Sequence, residues 1–185
     1  MSENRHNILI FARLREKLSA SDAQSFCISN YHMPCAFFAP MVMTIHAEMV
    51  AKRTQDLAGA DPHILAGDFN ILPDSPTYSL LTSGELSQDD QSYPTSKYGM
   101  RWKSSIKGMR SAYAQHDHGE PDFTNYAHLK DDENPFIGTL DYIFLSDEWN
   151  VMDVKSICHR NDANGPYPND DEPSDHVVVA ATLEC

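Results

Sequence analysis

The stretch Ile64–Pro76, which reads I-L-A-G-D-F-N-I-L-P-D-S-P, decides the fold. Its apolar start, Ile64–Ala66, predicts a short buried strand, and Gly67 permits a tight turn at the strand end. Asp68 and Asn70 follow at alternate positions, so in an extended segment their side chains would face the same way. Open α/β sheets bind their ligands in the crevice outside the carboxyl ends of the strands. The stretch therefore predicts an α/β fold that holds a carboxylate and an amide in that crevice.

Two later stretches repeat this arrangement of an acid beside an apolar run. Gly138–Ser146 reads G-T-L-D-Y-I-F-L-S, and Pro173–Ala180 reads P-S-D-H-V-V-V-A. The apolar run continues over Val177–Leu183, which predicts a central strand because both of its faces would be buried. We expect the acids of all three stretches to converge in one pocket.

As a set, the motifs G-D-x-N, L-D-Y and S-D-H resemble those of the endonuclease/exonuclease/phosphatase superfamily. The resemblance implies that Asp68 activates or orients an attacking water and that Asn70 hydrogen-bonds a phosphate. It also implies that Asp175 is a metal ligand, that His176 donates to a phosphate oxygen, and that Asp141 orients His176. Hard oxygen ligands favour Mg²⁺ or Mn²⁺ as the cofactor.

A second strand is predicted over Ser25–Met33 and ends before Pro34. The alternate positions on one face change from apolar residues to Asn30 and His32, which suggests a core that gives way to a site. The superfamily places a histidine at a comparable strand end. The resemblance therefore implies that His32 is a site residue.

The segment Glu120–Tyr126, E-P-D-F-T-N-Y, comes shortly before the L-D-Y motif. This pairing is similar to the branch of the superfamily that contains the carbon-catabolite-repressor-type deadenylases, nocturnin, the Angel proteins and the 2′-5′ phosphodiesterase. In that branch the residues around F-T-N help to hold the terminal nucleotide. The resemblance implies that Phe123 contacts the nucleotide by stacking and that Asn125 does so by hydrogen bonding.

One segment interleaves basic and aromatic side chains, which suits phosphate contact together with base stacking. Its members are Lys97, Tyr98, Arg101, Trp102, Lys103, Lys107 and Arg110. The alternative is a mobile charged loop. Together with the F-T-N segment, this pattern favours nucleotides over lipids as substrates.

The charge of the chain is unevenly distributed. The net charge is −13; residues 1–110 carry eleven basic and eleven acidic side chains, whereas residues 111–185 carry three basic and sixteen acidic ones. Such an acidic surface repels long nucleic acid as a non-specific partner but can recruit divalent cations. No apolar run approaches the roughly 20 residues that span a membrane. Four scattered cysteines without C-x-x-C spacing indicate a reduced, intracellular protein.

The superfamily domain is a sandwich of two sheets that usually exceeds the 185 residues of this chain. We therefore expect residues 1–185 to form one α/β domain that corresponds to the later, C-terminal part of a two-sheet sandwich of the DNase I-like type. An Asn after an early strand and a metal-binding Glu, both from the first half of the family domain, have no match here. The resemblance thus predicts an N-terminally shortened chain with a weak metal site.

The function expected from these patterns is Mg²⁺-dependent hydrolysis of RNA or nucleotide phosphodiester bonds. One alternative is a catalytically inactive or regulatory fragment that binds a nucleotide or a partner. Another is a phosphatase or lipid phosphodiesterase on the same scaffold. A sheet face left without its partner layer also predicts self-association, or a partner that covers the missing half.

Overall fold

The computed structural model describes residues 6–15, 17, 25–96, 101–117, 119–128 and 134–185. Three α-helices are described: α1 (Pro40–Ala58), α2 (Pro76–Ser83) and α3 (Ala112–His116). The described strands are β1 (Leu9–Arg15), β2 (Ser25–Tyr31), β3 (His63–Asp68), β4 (Arg110–Ser111), β5 (Asn125–Ala127), β6 (Phe136–Gly138), β7 (Asp141–Leu145), β8 (Asn150–Val154) and β9 (Ala181–Glu184). The strands predicted before Pro34 and before Gly67 are therefore present.

The main sheet has five strands in the order β1-β2-β3-β7-β4. Strands β2 and β3 are parallel, and helix α1 connects them, as parallel neighbours require a crossover. Strand β7 runs antiparallel to β3, with Asp141 directly opposite Asp68. Since the end of β3 meets the start of β7, two of the three predicted acids lie side by side at one edge of the sheet.

Helices α1 and α2 cover one face of this sheet. Both helices begin with a proline, and the Ser75 side chain caps α2 by accepting a hydrogen bond from the Tyr78 N–H. The buried residues of this layer form the larger core, with Leu65 and Phe144 from the sheet packed against side chains such as Leu80. This core fixes the strand ends that carry the acids.

The opposite face of the sheet carries a second, smaller core. Leu145 and Trp149 are buried there, and partly buried side chains of the β8–β9 pair pack against them. Alternation along each strand explains the two cores, because successive side chains point to opposite faces. The two layers give the arrangement expected of part of a two-sheet sandwich.

The prediction of a central strand over Val177–Leu183 is wrong. The strand is shorter, Ala181–Glu184, and among the described residues it pairs only with β8. Val178 is 66% exposed. A continuous apolar run is buried on both faces only when packed layers cover both faces of its sheet, and the described part of this run belongs to a two-stranded sheet that leaves Val178 exposed.

Candidate active site

The site is built around Asp68, the last residue of β3. Gly67 before it has φ 143°, and a Cβ at this position would lie 2.1 Å from the Tyr31 carbonyl oxygen. Only glycine therefore allows β2 and β3 to approach so closely at this end. As a result His32, just past β2, places its Nε2 atom 3.4 Å from Asp68 Oδ2.

Asn70 lies at the site in a backbone conformation that differs from the extended one predicted from alternation. Its φ of 51° is left-handed, so the segment is not extended as predicted. Its backbone N–H donates to Asp68 Oδ1 at 2.8 Å, and its Nδ2 donates to the Met33 carbonyl oxygen at 3.0 Å. The first bond fixes the Asp68 carboxylate, and the second ties the turn after β3 to the segment after β2.

His176 joins the two acids at the sheet edge. Its Nδ1 atom lies 2.7 Å from Asp141 Oδ2, and its Nε2 atom lies 3.9 Å from Asp68 Oδ2. The hydrogen bond to Asp141 raises the pKa of His176, against the opposing effect of burial. Burial raises the pKa of Asp68; the N–H of Asn70 opposes this rise and nearby Asp141 adds to it. The arrangement pairs a half-buried carboxylate with an imidazole that is stabilised in its charged form.

Asp175 is held next to this group by the backbone. The Tyr126 N–H donates to the Asp175 carbonyl oxygen at 2.9 Å, and Asn125 forms an antiparallel bridge with His176. The Asn125 Nδ2 atom donates to Asp175 Oδ2 at 3.3 Å. Strand β5 therefore positions the Asp-His pair, so the F-T-N and S-D-H segments meet at the site.

Thr124 is a site residue that the sequence reasoning missed. Its hydroxyl group contacts Asp141 Oδ2 at 2.7 Å, beside the Nδ1 atom of His176. It is the middle residue of F-T-N, so the motif that singled out its two neighbours contained the signal. Threonine is neither ionisable nor aromatic, so the motif alone predicts no role for it.

The structure contradicts the stacking role predicted for Phe123. The side chain is fully buried, and its ring makes an edge-on contact with Tyr126 at a centroid distance of 5.9 Å. A base cannot stack on a ring with no exposed surface. The Thr124 side chain contacts Asp141, whereas the Phe123 ring beside it packs against Tyr126. Phe123 therefore belongs to the packing beneath the site.

Only part of the predicted basic-aromatic patch stays together in the structure, where Arg101, Trp102, Lys103 and Lys107 line one cavity. Lys97 and Tyr98 lie outside the described residues. The Lys107 ammonium pairs with Asp147 at 2.6 Å, and Arg110 donates to backbone carbonyls that include the Ser146 oxygen at 3.2 Å. These two cations therefore stabilise the loop after β7.

No group of three or more His, Cys, Asp or Glu side chains that could hold a metal ion occurs among the described residues. The carboxylate oxygens of the site suit Mg²⁺ or Mn²⁺ better than zinc as metal ligands. Mg²⁺ is commonly bound through one or two carboxylates and several waters. The carboxylates of Asp175 and Asp68 are oxygen donors of the kind that such a cation takes.

The α/β fold, with acids at the paired ends of β3 and β7, is of the DNase I-like type. The sequence model of the Endonuclease/Exonuclease/phosphatase family matches residues 14–176, and the chain belongs to that family. Within the described residues, no helix is both long and apolar enough to cross a bilayer.

Several relatives are similar in sequence. The CCR4-Not complex 3′-5′-exoribonuclease subunit Ccr4 of Phaeosphaeria nodorum is 36% identical over 133 residues, which cover 67% of this chain and 21% of the relative. The 2′,5′-phosphodiesterase 12 of Mus musculus is 24% identical over 175 residues, covering 90% of this chain and 27% of the relative. The chain thus spans about a fifth to a quarter of the length of these relatives.

Solved structures share the fold. ANGEL2, described as a 2′,3′-cyclic phosphatase and bound to adenosine-2′,3′-vanadate, superposes with a TM-score of 0.74 at 22% identity, covering 98% of this chain and 62% of that one. The human Nocturnin catalytic domain gives a TM-score of 0.65 at 19% identity and covers 97% and 53% of the two chains. The resemblance to these proteins therefore extends over nearly the whole of the present chain.

Proposed function

We propose that this protein is a divalent-metal-dependent phosphodiester hydrolase that acts on RNA or nucleotide substrates. The observation that carries the proposal is the position of His176, which contacts Asp141 through one ring nitrogen and faces Asp68 with the other. The Ccr4 and phosphodiesterase relatives support phosphodiester chemistry and a nucleotide substrate.

In this proposal each side chain has a separate task. Asp68 accepts a proton from, or orients, the attacking water, a task that its raised pKa favours. His176, kept charged by Asp141, donates to a phosphate oxygen and stabilises the charge that develops there. Asn70 already donates from its amide nitrogen to Met33, so its contact with the phosphate would use the second N–H of the same group.

The metal would be held by Asp175, with Asp68 nearby and waters completing the coordination. When bound, it would neutralise phosphate charge. His32, exposed and 3.4 Å from Asp68, lies where a substrate phosphate could be contacted from the β2 side.

The test is hydrolysis of a panel of 3′-5′ oligoadenylate, 2′,5′-oligoadenylate, inositol phosphate and sphingomyelin, with and without millimolar Mg²⁺. His176→Gln should lower the rate on the preferred nucleotide substrate by about 10²–10⁴-fold. His116→Gln is the matched control, because His116 also contacts a neighbouring aspartate, Asp117, but lies outside the site. Equal rates for wild type and His176→Gln would refute the proposal.

A second candidate is nucleotide binding without turnover. It is favoured by the finding that the described residues contain no three-ligand metal cluster. Calorimetric titration with adenosine monophosphate separates the two candidates. Binding that His176→Gln weakens, with no hydrolysis of any substrate at saturating Mg²⁺, would establish the binding function.

A further inference from the structure

Thr124 is a fully buried polar residue directly behind the proposed catalytic pair. Its hydroxyl oxygen has three partners: the Leu140 N–H at 2.9 Å, the Asp141 N–H at 3.0 Å and Asp141 Oδ2 at 2.7 Å. The proposed function assigns it no task, although it touches the residue that holds His176.

The direction of each bond follows from the donors and acceptors available. A threonine hydroxyl has one proton and two lone pairs. The two backbone N–H groups can only donate, so they occupy both lone pairs of the Thr124 oxygen. Its single proton must then point to Asp141 Oδ2. The hydroxyl has no alternative orientation, and Asp141 receives a fixed donor on the oxygen that also contacts His176 Nδ1.

The backbone of Thr124 joins the two segments that carry this pair. Its N–H donates to the Gly138 carbonyl oxygen at 3.0 Å, and its carbonyl oxygen accepts from the Val177 N–H at 2.8 Å. One residue therefore lies between the segment of Asp141 and the segment of His176 and is bonded to both. The neighbouring Asn125 contacts Asp175 through its side-chain amide, which donates to Asp175 Oδ2.

We infer that Thr124 is a positioning residue, whose hydroxyl fixes the carboxylate of Asp141 and through it the ring orientation of His176. Without this donor the carboxylate could rotate about its side-chain bonds, and His176 would lose the fixed partner that sets its tautomer. The effect of Thr124 on turnover rests on the proposed function, whereas its effect on the orientation of Asp141 and His176 does not.

The variants are chosen to separate the hydroxyl from the bulk of the side chain. Thr124→Val keeps nearly the same shape and removes the hydroxyl, and Thr124→Ser keeps the hydroxyl and removes the methyl group. Thr139→Val is the matched control: Thr139 is also buried in the segment before Asp141, but its hydroxyl donates to the Pro121 carbonyl.

The first measurement is the side-chain Nδ1–H resonance of His176 in ¹⁵N–¹H spectra of the full chain, assigned by its absence in His176→Gln. We expect a downfield resonance in wild type, Thr124→Ser and Thr139→Val, and its loss in a folded Thr124→Val. A folded Thr124→Val that keeps the resonance would overturn the inference. If the valine variant does not fold, the serine variant decides, because a folded Thr124→Ser that lacks the resonance overturns it equally.

The second measurement is turnover on the preferred substrate from the panel above. Thr124→Val should lower kcat by about 10-fold or more with little change in KM, and Thr124→Ser should stay within about 3-fold of wild type. If wild type proves inactive, the proposed function fails while the resonance still decides the inference. If wild type is active and Thr124→Val matches it in kcat, the positioning role is refuted.

Discussion

At the scale of single residues, the bidentate contact between Asp122 and Arg160 makes stability depend on pH. Arg160 lowers the pKa of Asp122 to about 2 from its usual 3.8. A carboxyl group with a lowered pKa stabilises the fold above its unfolded pKa, and this contribution disappears as the pH falls through the folded value. Asp122→Asn should therefore be less stable than wild type at pH 7, and the difference should shrink below about pH 4 and vanish near pH 2.

Urea unfolding between pH 2 and pH 7 measures that difference. Asp170→Asn, at an exposed position of the same charge, is the control. A gap between Asp122→Asn and wild type that is independent of pH would show that packing, and not the charge, makes the contribution.

Phe123 gives a second prediction at this scale. Since the ring is fully buried, Phe123→Ala should lower the free energy of unfolding by about 3–5 kcal/mol through the lost burial and the cavity left behind. Phe123→Leu should cost much less, because it retains most of the volume. A stable Phe123→Ala with a raised KM for nucleotides would restore the stacking role that the structure contradicts.

At the scale of elements, the contact between β2 and β3 depends on Gly67. In Gly67→Ala the new Cβ would meet the Tyr31 carbonyl oxygen at 2.1 Å, and the residue would keep a positive φ. The backbone conformation alone costs about 1–3 kcal/mol, and the clash would push the strand ends apart. Because His32 and Asp68 lie at those ends, the variant should lose both stability and activity.

Thermal melts and hydrolysis rates test this prediction. Gly119→Ala is the control, because a Cβ at that position meets nothing within 4 Å. If Gly67→Ala melted at the same temperature as Gly119→Ala, the close approach of the two strands would not be needed for the fold.

At the scale of the whole molecule, one face of the sheet is incompletely covered. Ile10 and Leu14 lie on the same face of β1 and are 63% and 41% exposed. Among the described residues β1 pairs only with β2, so its other edge can pair with another chain. We expect self-association at micromolar concentration despite the net charge of −13.

Analytical ultracentrifugation measures this association. Replacing both Ile10 and Leu14 by lysine should shift the protein toward the monomer. Met49→Lys is the control, because Met49 is similarly exposed, at 56%, but lies on helix α1. A wild-type monomer across the concentration range would contradict the expectation.

The features that sequence alone determined are those with local causes. Pro40 and Gly59 bound helix α1, and Ser75 caps α2 through its own first turn. The apolar run before Gly67 forms a strand with Leu65 fully buried, and the turn that ends it depends on residues close together in the chain. The family itself was recognisable because its three acid motifs are short and keep their order.

Only the tertiary structure decided where the remaining residues point. Asn70 is left-handed because Asp68 and the distant Met33 both take its hydrogen bonds, and Thr124 contacts the distant Asp141 while Phe123 beside it is buried. Such choices depend on partners brought together from segments far apart in the chain, which no local pattern encodes. For the same reason, the burial of the run before Glu184 depends on the layers that the fold packs against it, and among the described residues its strand pairs with β8 alone.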